Sequence, residues 1–153
     1  MIKRVYVDTS VVGGQFDKEF ASLTAPFWNA VQKGEVIVIV SNVLEGELAT
    51  APEHVRDFFK RIPSEQIERI SSTPEAVELA NRYVQENVVG KTSLDDCLHI
   101  ALATIARADV LVSWNFKHIV NVSRIRGYNG VNMLLGYSIL EIRTPYEVIN
   151  DKT

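Results

Sequence analysis

Four polar side chains break apolar patterns in this sequence, and three of them are carboxylates. Asp8 ends the run VYV in VYVDTSVVGG, Glu47 lies in SNVLEGELA, Asp96 lies in SLDDCLHIALATIARAD, and Asn115 follows an apolar run in ADVLVSWNFKHIV. Carboxylates gathered without cationic partners repel one another and raise each other's pKa unless a cation neutralises them. A ligand set made only of oxygen selects a hard divalent ion, Mg²⁺ or Mn²⁺.

Each residue also has a plain structural role open to it. An Asp after a strand commonly caps the next helix. Glu45 and Glu47 stand about 200° apart on a helix and cannot serve one site. Glu47 shares a face with Val43 and Leu44, whereas Glu45 reads as a solvated first-turn acid favoured by the helix dipole. Ser93 and Asp96 have the spacing of a capping box. His99, one turn beyond Asp96, has the alternative of a satisfied core histidine. Asn115 has the alternative of a turn residue.

The elements that must position these groups follow from periodicity. Ile2 to Val7, Val36 to Val40 and Val110 to Ser113 are short, continuous, β-branched runs, the pattern of parallel strands covered on both faces. Helical segments are expected at about 17–33, 42–50, 53–61, 74–88 and 93–107, with Gly34 and Gly90 as stops. Residues 120–138 carry an Asn129-Gly130 turn signal and no helical period. They read as an irregular excursion before a late strand at Ile139 to Ile142, with a short helix after Pro145. Alternating strands and helices predict a three-layer α/β/α fold around a mainly parallel sheet. In such sheets ligands bind beyond the carboxyl ends of the strands, where Asp8 and Asn115 fall.

The chain has 153 residues, 46% of them hydrophobic and 23% charged. That length carries one domain, placed at 1–150. A net charge of −3 from 16 Lys+Arg against 19 Asp+Glu gives no whole-molecule attraction to nucleic acid, so a polyanion site must be built locally. A single cysteine, Cys97, makes no internal disulfide. No signal-like or membrane-length apolar run is present, and a cytoplasmic location is expected.

These motifs together resemble the PIN-domain ribonucleases, and within them the VapC-type toxins of toxin-antitoxin systems. The resemblance runs through VYVDTSV, SNVLEGEL, DCLHIALA and LVSWNF in order, and spans essentially the whole chain. It implies a PIN-like fold and a Mg²⁺- or Mn²⁺-dependent endoribonuclease. Its acidic site falls on Asp8, Glu47 and Asp96 as metal ligands, selecting Glu47 over Glu45 and Asp96 over Asp95. Asn115 stands where the family usually has a fourth acid, and is counted with the catalytic set. Thr9, Ser10, His99 and Ser113 are expected to support these groups. Lys117, His118, Arg124 and Arg126 are expected to form a phosphate-binding rim, with Tyr128 as a stacking ring. The implied partners are an RNA substrate, a small antitoxin and a second copy of the chain in a dimer, with no membrane. Two other readings compete: a non-catalytic binding or scaffold module with a site lost through Asn115, and a structure-specific DNA nuclease, ranked lower because no large insertion is present to clamp DNA.

Overall fold

The computed structural model of the chain describes residues 3–150. Its apolar runs form β1 (Lys3–Val7), β2 (Val36–Ser41), β3 (Ile67–Ile70), β4 (Val110–Val112) and β5 (Ile142–Arg143). The strands are ordered β3-β2-β1-β4-β5, and every neighbouring pair is parallel. β1 is central, with Val5 opposite both Val38 and Val110.

The period of two along a strand divides the core. Val5, Val7, Val38, Val40 and Val112 face one cluster, covered by α1 (Thr9–Gly14), α2 (Ala21–Gln32), α4 (Glu53–Lys60) and α8 (Pro145–Asn150). Tyr6, Ile39 and Leu111 face the other, covered by α5 (Pro74–Gln85), α6 (Leu94–Ile105) and α7 (Val122–Leu134). A strand buried on both faces needs a side chain with no polar demand at every position, which is why these runs are continuous rather than alternating. The short α3 (Asn42–Leu48) continues directly from β2. This is the expected α/β/α sandwich, and its described strands are all parallel.

Several local expectations need correction. Ile2, the expected first residue of β1, lies outside the described residues. The segment expected as one helix from about 17 begins at Ala21, and residues 9–14 form a separate short helix. β3, with the sequence IERI, was not anticipated; it is a partly exposed edge strand whose two central residues, Glu68 and Arg69, break the apolar run. The late strand is shifted to Ile142–Arg143. α5 and α6 are followed by Asn87 (φ 61) and Arg107 (φ 55) in the left-handed region, so Gly90 is not the stop.

The largest correction is α7, which occupies the expected excursion. Asn121 caps it by accepting from the Arg124 N–H at 3.2 Å. Asn129 does not turn the chain. Its side chain instead accepts from the Leu140 N–H at 2.7 Å and donates to the Leu140 carbonyl at 3.0 Å, while its backbone stays helical. Gly127 gives close approach: a Cβ there would stand 2.7 Å from Val88 Cγ1. Tertiary packing thus turns two apparent helix breakers into contact residues.

Candidate active site

Because the sheet is parallel, the segments leaving β1, β2 and β4 emerge on one edge, and α6 begins beside them. Asp8 follows β1 immediately and is only 5% exposed. Ser10 donates to its Oδ1 at 2.6 Å and Ser113, just past β4, donates to its Oδ2 at 2.6 Å. Ser10 Oγ also accepts from the Trp114 N–H at 2.9 Å, and Ser113 Oγ from the Asn115 N–H at 2.9 Å. Two hydroxyls therefore lock the carboxylate to the loop after β4. Asp8 makes no side-chain cap to α1, so the capping role does not apply to it.

A second polar chain runs below. Tyr6 donates to Ser41 Oγ at 2.9 Å and lies 2.6 Å from His99 Nδ1, while His99 Nε2 lies 2.7 Å from Glu47 Oε1. Ser41 caps α3 through the Leu44 N–H at 3.3 Å. His99 is buried and Glu47 keeps 41% of its side chain exposed, so the pair spans from core to crevice. Glu45 is paired outward with Arg69 at 2.9 Å, as its helical position implies.

The electrostatics bind these groups into one cluster. Burial pushes the Asp8 carboxyl up; Ser10, Ser113 and His99 oppose this and Asp96 adds to it. Burial likewise pushes Asp96 up, with His118 and His99 opposing and Glu47 and Asp95 adding. The hydrogen bond from His99 holds Glu47 below its ordinary value against partial burial. Thr9 Oγ1 is buried, in hydrogen-bonding geometry to no described group, yet it stands near enough to help lower Glu47. Ser93 makes no side-chain cap, so Asp96 is not the far end of a capping box. The charges that moderate Asp8 and Asp96 are imidazoles rather than Lys or Arg.

The remaining expected residues divide. Asn115 reaches the cluster through its backbone, because its Oδ1 accepts from the N–H groups of Lys117 at 3.2 Å and His118 at 3.0 Å. His118 stands within the field of Asp96, and its Nδ1 is buried without a partner. Lys117 is exposed. Arg124 spends its guanidinium on the Val88 carbonyl, and Arg126 lies on the exposed side of α7. Tyr128 is fully buried and donates to the His118 carbonyl at 2.6 Å, so it stacks on no ligand. The sequence reading missed Tyr6 and Ser41 as supports; the only signal was a phenol inside an otherwise aliphatic strand.

Among the described residues no three His, Cys, Asp or Glu side chains form a metal cage. Mg²⁺ does not require one, since it keeps several waters and is bound through one or two carboxylates plus substrate phosphate. Asp8 and Asp96, both desolvated and both raised by neighbouring carboxylates, suit that donor set.

No family model matches the sequence. No curated protein matches it either. Among solved structures, the chain is similar to one in the crystal structure of VapBC2 from Rickettsia felis bound to a DNA fragment from their promoter. The TM-score is 0.58 with 14% identity, over 92% of this chain and 98% of that chain. The fold is therefore PIN-like, an α/β fold built on a five-stranded parallel sheet. At this identity the likeness speaks for the fold alone. No helix of the described residues is long and apolar enough to cross a membrane.

Proposed function

We propose that the chain is a Mg²⁺- or Mn²⁺-dependent endoribonuclease and the toxin of a toxin-antitoxin pair. The observation that carries this reading is the pair of desolvated carboxylates, Asp8 and Asp96, at the carboxyl edge of a parallel sheet: burial raises both, Asp96 adds to the rise of Asp8, and Glu47 and Asp95 add to that of Asp96. Groups left in that state without an Arg or Lys cost stability, and a bound cation removes the cost. Asp8 and Asp96 would hold the ion, while Glu47, tied to His99, would add negative charge beside it. The ion would lower the pKa of a bound water and neutralise charge on the phosphate oxygens.

This chain's own residues do the positioning. Ser10 and Ser113 fix both Asp8 oxygens, and the Tyr6–His99 contact orients the imidazole that holds Glu47. His118 stands within the field of Asp96 and Lys117 is exposed beside it, which supports a role for both in meeting a phosphate. No Cys-His or Ser-His nucleophile is required. A small antitoxin is the expected protein partner, a reading supported by the fold shared with VapBC2; a second copy of the chain is expected beside it.

A non-catalytic binding module is the second reading, favoured by the absence of a three-ligand cage among the described residues and by Asn115 serving its own turn. Cleavage of single-stranded RNA with Mg²⁺ and Mn²⁺ titrated separately, against flap DNA and an Asp8→Asn control, tests the choice. Metal-dependent RNA cleavage that Asp8→Asn abolishes is the expected result. No cleavage above the control would favour the module, and preference for flap DNA would make it a DNA nuclease.

A further inference from the structure

Burial of Tyr128 leaves the proposed site without the ring expected to stack a base, yet another ring stands at the crevice. Residues 114–118 form a turn held by Asn115, whose Oδ1 accepts the N–H groups of Lys117 and His118. Phe116 lies on this turn and is 49% exposed. Its ring centroid is 6.1 Å from Trp114 and 6.2 Å from Phe20, and those two rings stack on each other at 4.5 Å and 17°.

The ring is built onto the acid cluster. Trp114 Nε1 donates to Thr24 Oγ1 at 2.9 Å, and Gly14 lets the indole approach, since a Cβ there would lie 2.8 Å from Trp114 Cδ1. The Trp114 N–H donates to Ser10 Oγ, which donates to Asp8. At the far end of the turn, His118 acts on Asp96. One rigid turn thus carries an exposed ring, an exposed cation at Lys117, and a connection to both carboxylates.

We propose that Phe116 is a stacking platform for a base of single-stranded RNA next to the scissile phosphate, with Lys117 on the adjoining backbone. The inference rests on the ribonuclease reading for its substrate class. Charge and area favour this occupant. A ring beside a cation complements a polyanion whose bases offer π-faces. An aromatic side chain buries roughly 150–250 Å², so half of one ring offers about 100 Å², far below the ~800 Å² each partner gives to a standard protein interface.

The test is equilibrium binding of a labelled single-stranded oligoribonucleotide, in EDTA and again with Ca²⁺, beside an abasic strand of equal length. Phe116→Ala is expected to weaken the intact strand by about 5- to 150-fold, the equivalent of one stacked base, and to leave the abasic strand unchanged. Phe116→Trp should restore binding. Phe116→Leu keeps apolar cover without a π-face and should not restore it. Lys117→Ala should weaken both strands alike and flatten the salt dependence. In cleavage assays the Phe116→Ala effect should fall mainly on KM. Equal affinity of parent and Phe116→Ala for the intact strand would overturn the platform, even if the parent cleaves RNA. Loss of self-association in Phe116→Ala, with RNA affinity unchanged, would overturn it in favour of an interface between copies. Phe116-dependent binding by a parent that cleaves nothing would sustain the platform and sink the nuclease. No RNA binding by the parent in either condition would sink both.

Discussion

The two ends of this sheet treat charge in opposite ways. Toward the amino ends of the strands, Arg4 makes a two-pronged bond to Glu68 at 2.9 and 2.6 Å, caps the carbonyls of Ala106 and Arg107 at 3.1 Å, and gives its N–H to Asp109 at 2.8 Å. The Arg4 guanidinium holds the Glu68 carboxyl below its ordinary value, and Glu68 raises Arg4 in return. Toward the carboxyl ends, Asp8 and Asp96 are both pushed up, with hydroxyls and imidazoles as neighbours in place of an arginine. One end has charges that satisfy each other; the other keeps charges that a ligand would satisfy. An imbalance of this kind, at the edge where parallel sheets bind ligands, is what the proposed site would require.

The contrast breaks most decisively at Asp8. Asp8→Asn is expected to lower metal-dependent cleavage more than about 100-fold, beyond the cost of losing a merely supporting group, without lowering the melting temperature in EDTA. A large fall in melting temperature would instead make Asp8 structural. Tyr6→Phe is next: it strips a buried partner from both His99 and Ser41, and should cost about 1–3 kcal/mol in urea titrations. An unchanged midpoint would mean the Tyr6–His99–Glu47 chain does not hold the crevice together.

The amino end should respond less. Glu68→Gln removes a bridge whose partners are each about one-third exposed, and is expected to cost ~0.5–1 kcal/mol, less at high salt. The pH response separates the two ends by sign. Asp8 and Asp96 bind protons more tightly folded than unfolded, so their contribution is full below the ordinary value of 3.8 and is lost as pH rises through the raised folded values. Glu47 and Glu68 run the other way, stabilising above 4.5 and losing that as pH falls through their lowered values. In EDTA, Asp96→Asn should therefore melt no lower than the parent near about pH 7, with the gap narrowing toward about pH 4. A widening gap on acidification would reverse the assignment. Asn115→Asp should have the smallest effect. An aspartate keeps an oxygen for the Lys117 and His118 N–H groups, so the fold is retained, and the added charge should tighten Mg²⁺ binding in a thermal-shift titration.

Much of this was legible in the order of residues alone. A short, continuous apolar run rich in β-branched residues reads as a strand covered on both faces, so VYV, VIVIV and VLV pointed to a parallel sheet, and a parallel sheet sends its carboxyl ends to one edge. That is enough to send Asp8 and the start of α3, which carries Glu47, to one edge; Asp96 follows α5 rather than a strand and was singled out by the family resemblance. The 200° separation of Glu45 and Glu47 was enough to send Glu45 out to Arg69. What the sequence could not decide lay in groups whose role depends on a distant partner. Asn129-Gly130 is a turn by local preference and a helix here, because Leu140 takes the Asn129 side chain and Val88 needs the space beside Gly127. Tyr128 and Phe116 are both aromatic residues near the fourth motif; packing of α7 buried the first, and the turn held by Asn115 left the second exposed. Tyr6 and Ser41 became supports of the site only when His99 arrived from α6. Periodicity reports which face a residue turns, but hydrogen-bond partners far along the chain are set only when the layers close.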